Sequence, residues 1–129
     1  MKARIVRPKK ALLWGVSSTQ PLALTTLQVC DRWGVRCCLP GKEAWTRPVE
    51  ELLETPAGEG YAGGELPLLL LSGLTDRELD GVLADLRQAG AAWPYKAVVT
   101  PHNRRWSLEK LYRELERERE AVERQRNPQ

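Results

Sequence analysis

Leu68-Leu69-Leu70-Leu71-Ser72-Gly73-Leu74-Thr75-Asp76-Arg77-Glu78-Leu79 is the stretch whose reading decides the fold. Leu68 to Leu71 is a short apolar run between Pro67 and Gly73 and reads as a strand. Thr75 then opens a helix, because its hydroxyl and the Glu78 carboxylate form a capping box while Leu74 and Leu79 supply the hydrophobic staple around it. Leu79, Val82, Leu83 and Leu86 recur at spacings of three and four, and Gly90 ends the helix in the left-handed conformation. Tyr95 to Thr100 follows as a further strand, so the segment is a β-α-β unit.

The N-terminal half repeats this plan. Ala11 to Val16 reads as a strand. Ser17, Ser18, Thr19 and Pro21 supply capping and first-turn residues for a helix that directs Leu24, Leu27, Cys30 and Trp33 to the core and stops at Gly34. Val35 to Leu39 is a second strand. Pro40-Gly41 turns the chain, and Thr46-Arg47-Pro48 opens a short helix with Val49, Leu52 and Leu53 on one face. Gly15 corresponds to Gly73, Gly34 to Gly90, Pro40 to Pro101 and Trp45 to Trp106, which points to an internal duplication.

At the other end, Ser107 caps a last helix in which Trp106 and Leu111 form a second staple and Leu108, Leu111, Tyr112 and Leu115 form the buried stripe. Beyond Leu115 the chain alternates Arg and Glu, with opposite charges three apart at Glu114 and Arg117 and at Glu116 and Arg119, so this end is expected to project into solvent.

The expected fold is therefore a single α/β domain over residues 1–129: a small doubly wound, mainly parallel four-stranded sheet, order 2-1-3-4, built from two β-α-β-α repeats with a projecting charged C-terminal helix. The first repeat spans about 11–54, a flexible glycine-rich connector 55–66, the second repeat about 67–115 and the charged tail 116–129.

Composition narrows the function classes. With 42% hydrophobic and 29% charged residues the chain is globular. No apolar run approaches the roughly 20 residues that span a bilayer, and the N-terminus lacks the apolar core of a secretion signal. Cys30, Cys37 and Cys38 are odd in number, with two adjacent, which suits a reducing cytoplasm rather than a disulfide framework. One histidine, His102, and no C-x-x-C spacing leave too few ligands for a zinc site, and no cofactor is expected. A net charge of +3 does not by itself imply a polyanion partner, although Lys2, Arg4, Arg7, Lys9 and Lys10 gather five positive charges at one end.

Among candidate sites, the G-x-G-x-x-G pattern Gly58 to Gly63 precedes a strand instead of following one, and so lacks the context of a dinucleotide loop. A Cys37 or Cys38 nucleophile served by His102 is opposed by placement on opposite edges of the sheet. In an all-parallel sheet the C-terminal ends of the first and third strands meet, which would bring Ser17 and Ser18 beside Ser72 and Gly73 as a small-anion or nucleotide site; the ordinary account is that these residues cap their helices. Thr100-Pro101-His102-Asn103-Arg104-Arg105-Trp106 carries the most chemistry: an imidazole, an amide, two guanidiniums and an indole, in a segment where Pro101 and Asn103 suit a turn. Arg and Trp together anchor protein partners or hold phosphates and stack on bases. In a parallel sheet this loop and the basic arm lie at opposite ends, which speaks against shared binding of nucleic acid.

Leu70-Leu71-Ser72-Gly73-Leu74, Glu78-Leu79-Asp80 and Lys96-Ala97-Val98-Val99-Thr100-Pro101, with Asn103, Trp106, Leu108 and Leu111, resemble a small bacterial family known as domain of unknown function 3783. The resemblance implies the fold and segment boundaries of the C-terminal half and no activity. His102 and the paired arginines are particular to this chain. The expectation is a non-catalytic binding or regulatory module contacting a macromolecular partner, a protein or a second copy, through residues 100–106. A small-anion or nucleotide binder and a weak nucleic-acid binder are the alternatives.

Overall fold

A computed structural model of the protein describes residues 8–126. Its elements are β1 (Lys10–Trp14), α1 (Pro21–Arg32), β2 (Arg36–Cys38), a 3-10 turn (Lys42–Thr46), α2 (Val49–Leu52), β3 (Leu68–Ser72), α3 (Asp76–Gln88), β4 (Tyr95–Val98) and α4 (Leu108–Arg126). The four strands form one sheet in the order β2-β1-β3-β4. Helices cover both faces. On one, Ala11, Leu13, Leu69 and Leu71 pack under α1 and α3 through Ala23, Val29, Val82 and Leu86. On the other, Leu12, Trp14, Leu68 and Leu70 pack under α2 and α4 through Leu52, Leu108, Leu111 and Tyr112. Trp14 stacks on Trp45 with ring centroids 4.6 Å apart, and Tyr112 meets both rings edge-on.

The sheet is not wholly parallel. β1 pairs parallel with β2, and β3 with β4, but β1 and β3 run antiparallel, with Lys10 opposite Ser72, Leu12 opposite Leu70 and Trp14 opposite Leu68. The cause lies in the connection between halves. A parallel arrangement needs a crossover that returns the chain to the starting end of β1, and α2, a single turn, makes that journey together with the preceding 3-10 turn. The glycine-rich connector then carries the chain back again, since twelve residues span up to about 40 Å when extended. β3 consequently starts beside the end of β1.

The connector is accordingly a fitted strap, not slack chain. The Ser18 N–H donates to the Glu59 carbonyl at 2.7 Å and the Tyr61 N–H to the Val16 carbonyl at 2.9 Å. Gly60 between them has φ +80° and sits against the Val16 carbonyl, where a Cβ would collide, so no other residue fits without strain.

The helix signals largely agree with the structure. Thr75 and Glu78 form the reciprocal capping box of α3, and the Lys110 N–H donates to Ser107 Oγ at 3.1 Å at the start of α4. α1 differs. Its N-cap is Gln20, with Pro21 at the first helical position and no side-chain cap. Its buried residues are Ala23, Thr26, Val29 and Cys30, while Leu24 is exposed. Thr26 is tolerated inside because its hydroxyl donates to the Leu22 carbonyl at 2.7 Å and accepts the Trp93 indole N–H at 2.9 Å. In α4 the Glu114–Arg117 pair forms at 2.7 Å, whereas Glu116 pairs with Arg113 and Arg119 with Glu123.

Candidate functional site

The antiparallel centre decides which groups meet. Ser17 and Ser18 follow β1 at one end of the sheet; Ser72 and Gly73 close β3 at the other, beside Lys10. The anion site expected between them is therefore not assembled. Ser17 is instead engaged locally, its N–H donating to Gln20 Oε1 at 2.8 Å and its hydroxyl lying 3.1 Å from that of Thr19. Cys37 and Cys38 lie on β2, at the opposite edge of the sheet from β4, so neither is brought to His102. The hydrogen bond with Cys30, and then burial, push the Cys37 thiol up, and burial does the same at Cys38, the reverse of what an activated nucleophile requires. Among the described residues no three His, Cys, Asp or Glu side chains cluster to hold a metal ion.

The same reversal brings together two features expected apart. The start of β1 and the segment after β4 share one end of the sheet, and Pro8, Lys10, Ser72, Val99, Thr100 and Arg104 line a common groove of about 460 Å³ there. Gly73, at φ +81°, lets the Pro8 carbonyl pass where a side chain would block it. Of the basic arm, Lys2, Arg4 and Arg7 lie outside the described residues.

Residues 100–106 are held from within and from below. The Thr100 N–H donates to Asn103 Oδ1 at 2.8 Å, the Asn103 N–H to Thr100 Oγ1 at 3.2 Å, and Asn103 Nδ2 to the Val98 carbonyl at 3.2 Å. Thr100 and Asn103 thus spend their polar atoms on the turn. α2 has no side-chain cap; its first N–H groups, those of Val49 and Glu50, donate instead to the carbonyls of Trp106 and Arg104, each at 2.9 Å. The Leu108 N–H returns the arrangement by donating to the Arg47 carbonyl at 3.0 Å. Each segment satisfies the orphan donors of the other's helix.

What the loop presents outward is a short aromatic and cationic row. His102 meets Trp106 edge-on at 5.2 Å, and the Lys110 ammonium lies over the Trp106 ring at 4.5 Å. His102 and Arg105 are exposed, and no ion pair engages Arg105 among the described residues. The other cations at this end are matched by carboxylates: Lys9 by Glu78, Lys10 by Glu54, and Arg104 by Glu50 at 3.7 Å. Lys10 holds the Glu54 carboxyl below its usual range, and Lys9, with the Thr75 backbone N–H, does the same for Glu78.

Sequence reasoning singled out the loop but not the residues the structure sets around it: Lys110, Glu50 and the groove residues Pro8 and Leu53. Lys110 carried a signal, standing four residues after Trp106 on a marked helix. The carboxylate partners carried none, because they come from the other half of the chain.

Residues 67–122, which begin one residue before β3 and end within α4, match the family model described as Domain of unknown function (DUF3783). The C-terminal half is thus similar to the DUF3783 family. The matched segment contributes β3, α3, β4, the whole 100–106 loop and Lys110, while Pro8, Lys10 and Glu50 come from outside it. No curated protein and no solved structure matches the chain. No helix among the described residues is long and apolar enough to cross a membrane.

Proposed function

We propose that the protein is a non-catalytic binding or regulatory module that contacts a protein partner through the 100–106 loop. The observation that carries this reading is the row His102, Trp106 and Lys110, with Arg105 beside it, on a loop whose backbone is pinned to α2. Trp and Arg are the side chains that dominate protein interfaces, and a loop ordered before contact loses little conformational entropy on binding. The balanced ion pairs around the groove, with Leu53, Val99 and Pro101 between them, favour a protein surface over a free phosphate. Buried free thiols at Cys30, Cys37 and Cys38 support residence in a reducing cytoplasm, and the matching glycines, prolines and tryptophans support a duplicated origin for the two halves.

The experiment is affinity capture from a lysate with the wild type and with His102→Ala/Arg105→Ala. These two side chains make no hydrogen bond or ion pair among the described residues, so the variant keeps its fold. Loss of a specific captured protein supports the reading; identical captured sets overturn it.

A second reading, nucleic-acid binding by arm and loop together, gains from Pro8 and Lys10, at the start of β1, sharing one end of the sheet with the loop. It requires affinity that falls steeply with salt. Absence of binding to single- or double-stranded oligonucleotides at low salt removes it.

A further inference from the structure

β4 stands at the end of the sheet. The N–H groups of Tyr95 and Val99 reach the β3 side, at the carbonyls of Pro67 and Leu71. Alternation along the strand therefore turns the N–H and C=O of Lys96 and Val98 outward. Among the described residues, Asn103 Nδ2 meets the Val98 carbonyl, which keeps a second lone pair free. The opposite end strand is guarded differently: the Cys38 thiol donates to the carbonyls of Leu53 and Thr55, and Gly58 lies against the Leu39 carbonyl, so the strap runs along β2. Among the described residues no such strap runs along β4, and Val98 is 42% exposed. A groove flanks this edge on each face. One, of about 220 Å³, lies between β4 and α3 and is lined by Leu83, Leu86, Trp93 and Lys96. The other, between β4 and α4, is lined by Tyr95, Leu115, Arg119 and the exposed Val122. An added strand directs alternate side chains to the two faces, and both have room for them.

We propose that this edge is a homodimer interface in which β4 pairs antiparallel with β4 of a second copy, centred on Ala97. The choice of occupant and register rests on self-complementarity. A two-fold centred on Lys96 sets two ammonium groups directly opposite each other, which is unfavourable. One centred on Val98 engages the outward groups of that residue alone. The Ala97 centre sets Lys96 of each copy opposite Val98 of the other, lets both pairs exchange their backbone bonds and lays each lysine stem over an otherwise exposed valine. Lys96, a charge of the kind that discourages random edge pairing, then admits its own copy and disfavours other registers. This interface stands apart from the loop reading above.

Sedimentation of the full chain over a concentration series tests it. The wild type is expected to pass from one chain to two. Val98→Pro removes an N–H that the sheet itself does not use, so dimerisation should vanish while the thermal transition of the monomer is kept. Val98→Glu places a carboxylate opposite lysine in both symmetric pairs and should tighten the dimer, whereas Val98→Lys should loosen it, each by about tenfold in dissociation constant. His102→Ala/Arg105→Ala should leave the dimer unchanged, which separates this test from that of the loop. A wild type that stays monomeric throughout overturns the proposal, and so does a dimer indifferent to Val98→Pro.

Discussion

Leu12 and Leu70 lie directly opposite each other at the centre of the antiparallel β1–β3 pair, separated along the chain by the same interval as Gly15 and Gly73. Both side chains are fully buried under α4. Leu70→Ala should cost about 2–5 kcal/mol in denaturant unfolding. Combined with Leu12→Ala it should show a coupling of about 0.5–3 kcal/mol; strict additivity would contradict their contact.

Thr26 and Trp93 should behave unequally. Thr26→Val keeps the volume but leaves the buried Trp93 indole N–H without its acceptor, a loss of about 1–3 kcal/mol. Trp93→Phe removes the donor along with the indole, leaving the Thr26 hydroxyl its bond to the Leu22 carbonyl. The test is the double-mutant cycle by urea denaturation: if the orphaned donor is the cause, Thr26→Val should cost markedly less in the Trp93→Phe background.

Acid should weaken the end of the sheet that holds the groove. Glu54 and Glu78 titrate below their ordinary range because Lys10 and Lys9 stand against them. A carboxyl depressed in the folded state binds fewer protons there than when unfolded, so its contribution is present above the unfolded value, about 4.3, and is lost as pH falls through the folded one. Glu54→Gln/Glu78→Gln should therefore flatten the acid limb of the melting temperature against pH. An unchanged limb would show that these pairs do not matter to stability.

Alkali should act on Tyr112. Burial, with Tyr95 nearby, pushes its phenol up to about 12, and its hydroxyl donates to the Leu66 carbonyl at 2.9 Å. A raised folded value means that the folded state holds the proton more tightly, so the stabilisation is intact below the unfolded value of about 10 and fades as pH rises from there towards 12. Tyrosinate absorbance should show one late-titrating tyrosine, absent in Tyr112→Phe. An alkaline titration curve unchanged by Tyr112→Phe would refute this.

Gly73→Ala should destabilise by about 1–3 kcal/mol, since it combines a positive φ with a collision against the Pro8 carbonyl. Limited proteolysis should then cut more readily near Pro8. Unaltered stability and cleavage would mean that the chain before β1 is not held at Gly73.

Local chemistry was legible in the sequence. Thr75 and Glu78 announced α3, and Ser107 announced α4, because a cap needs only neighbours a few residues apart. The strand order was legible for a similar reason, since each β-α-β unit joins adjacent strands. The direction of β3 was not. It depends on how far the segment after Leu53 travels, and glycines without periodicity do not report distance. From that one reversal follow the separation of Ser17 from Ser72, which leaves the expected anion site unassembled, and the meeting of Pro8 with Thr100. The exposed Leu24 was misjudged because α1 spends an inward position on Thr26, whose partner, Trp93, is remote in sequence.

The central strand pair has a consequence for shorter chains. In this molecule β1 fills the inner edge of β3, and α1 lies against α3. A polypeptide consisting of residues 67–122 alone would carry that edge and that apolar flank uncovered. It would have to recruit the missing strand from outside, and another molecule of itself, turned end for end, already has the shape that β1 supplies here.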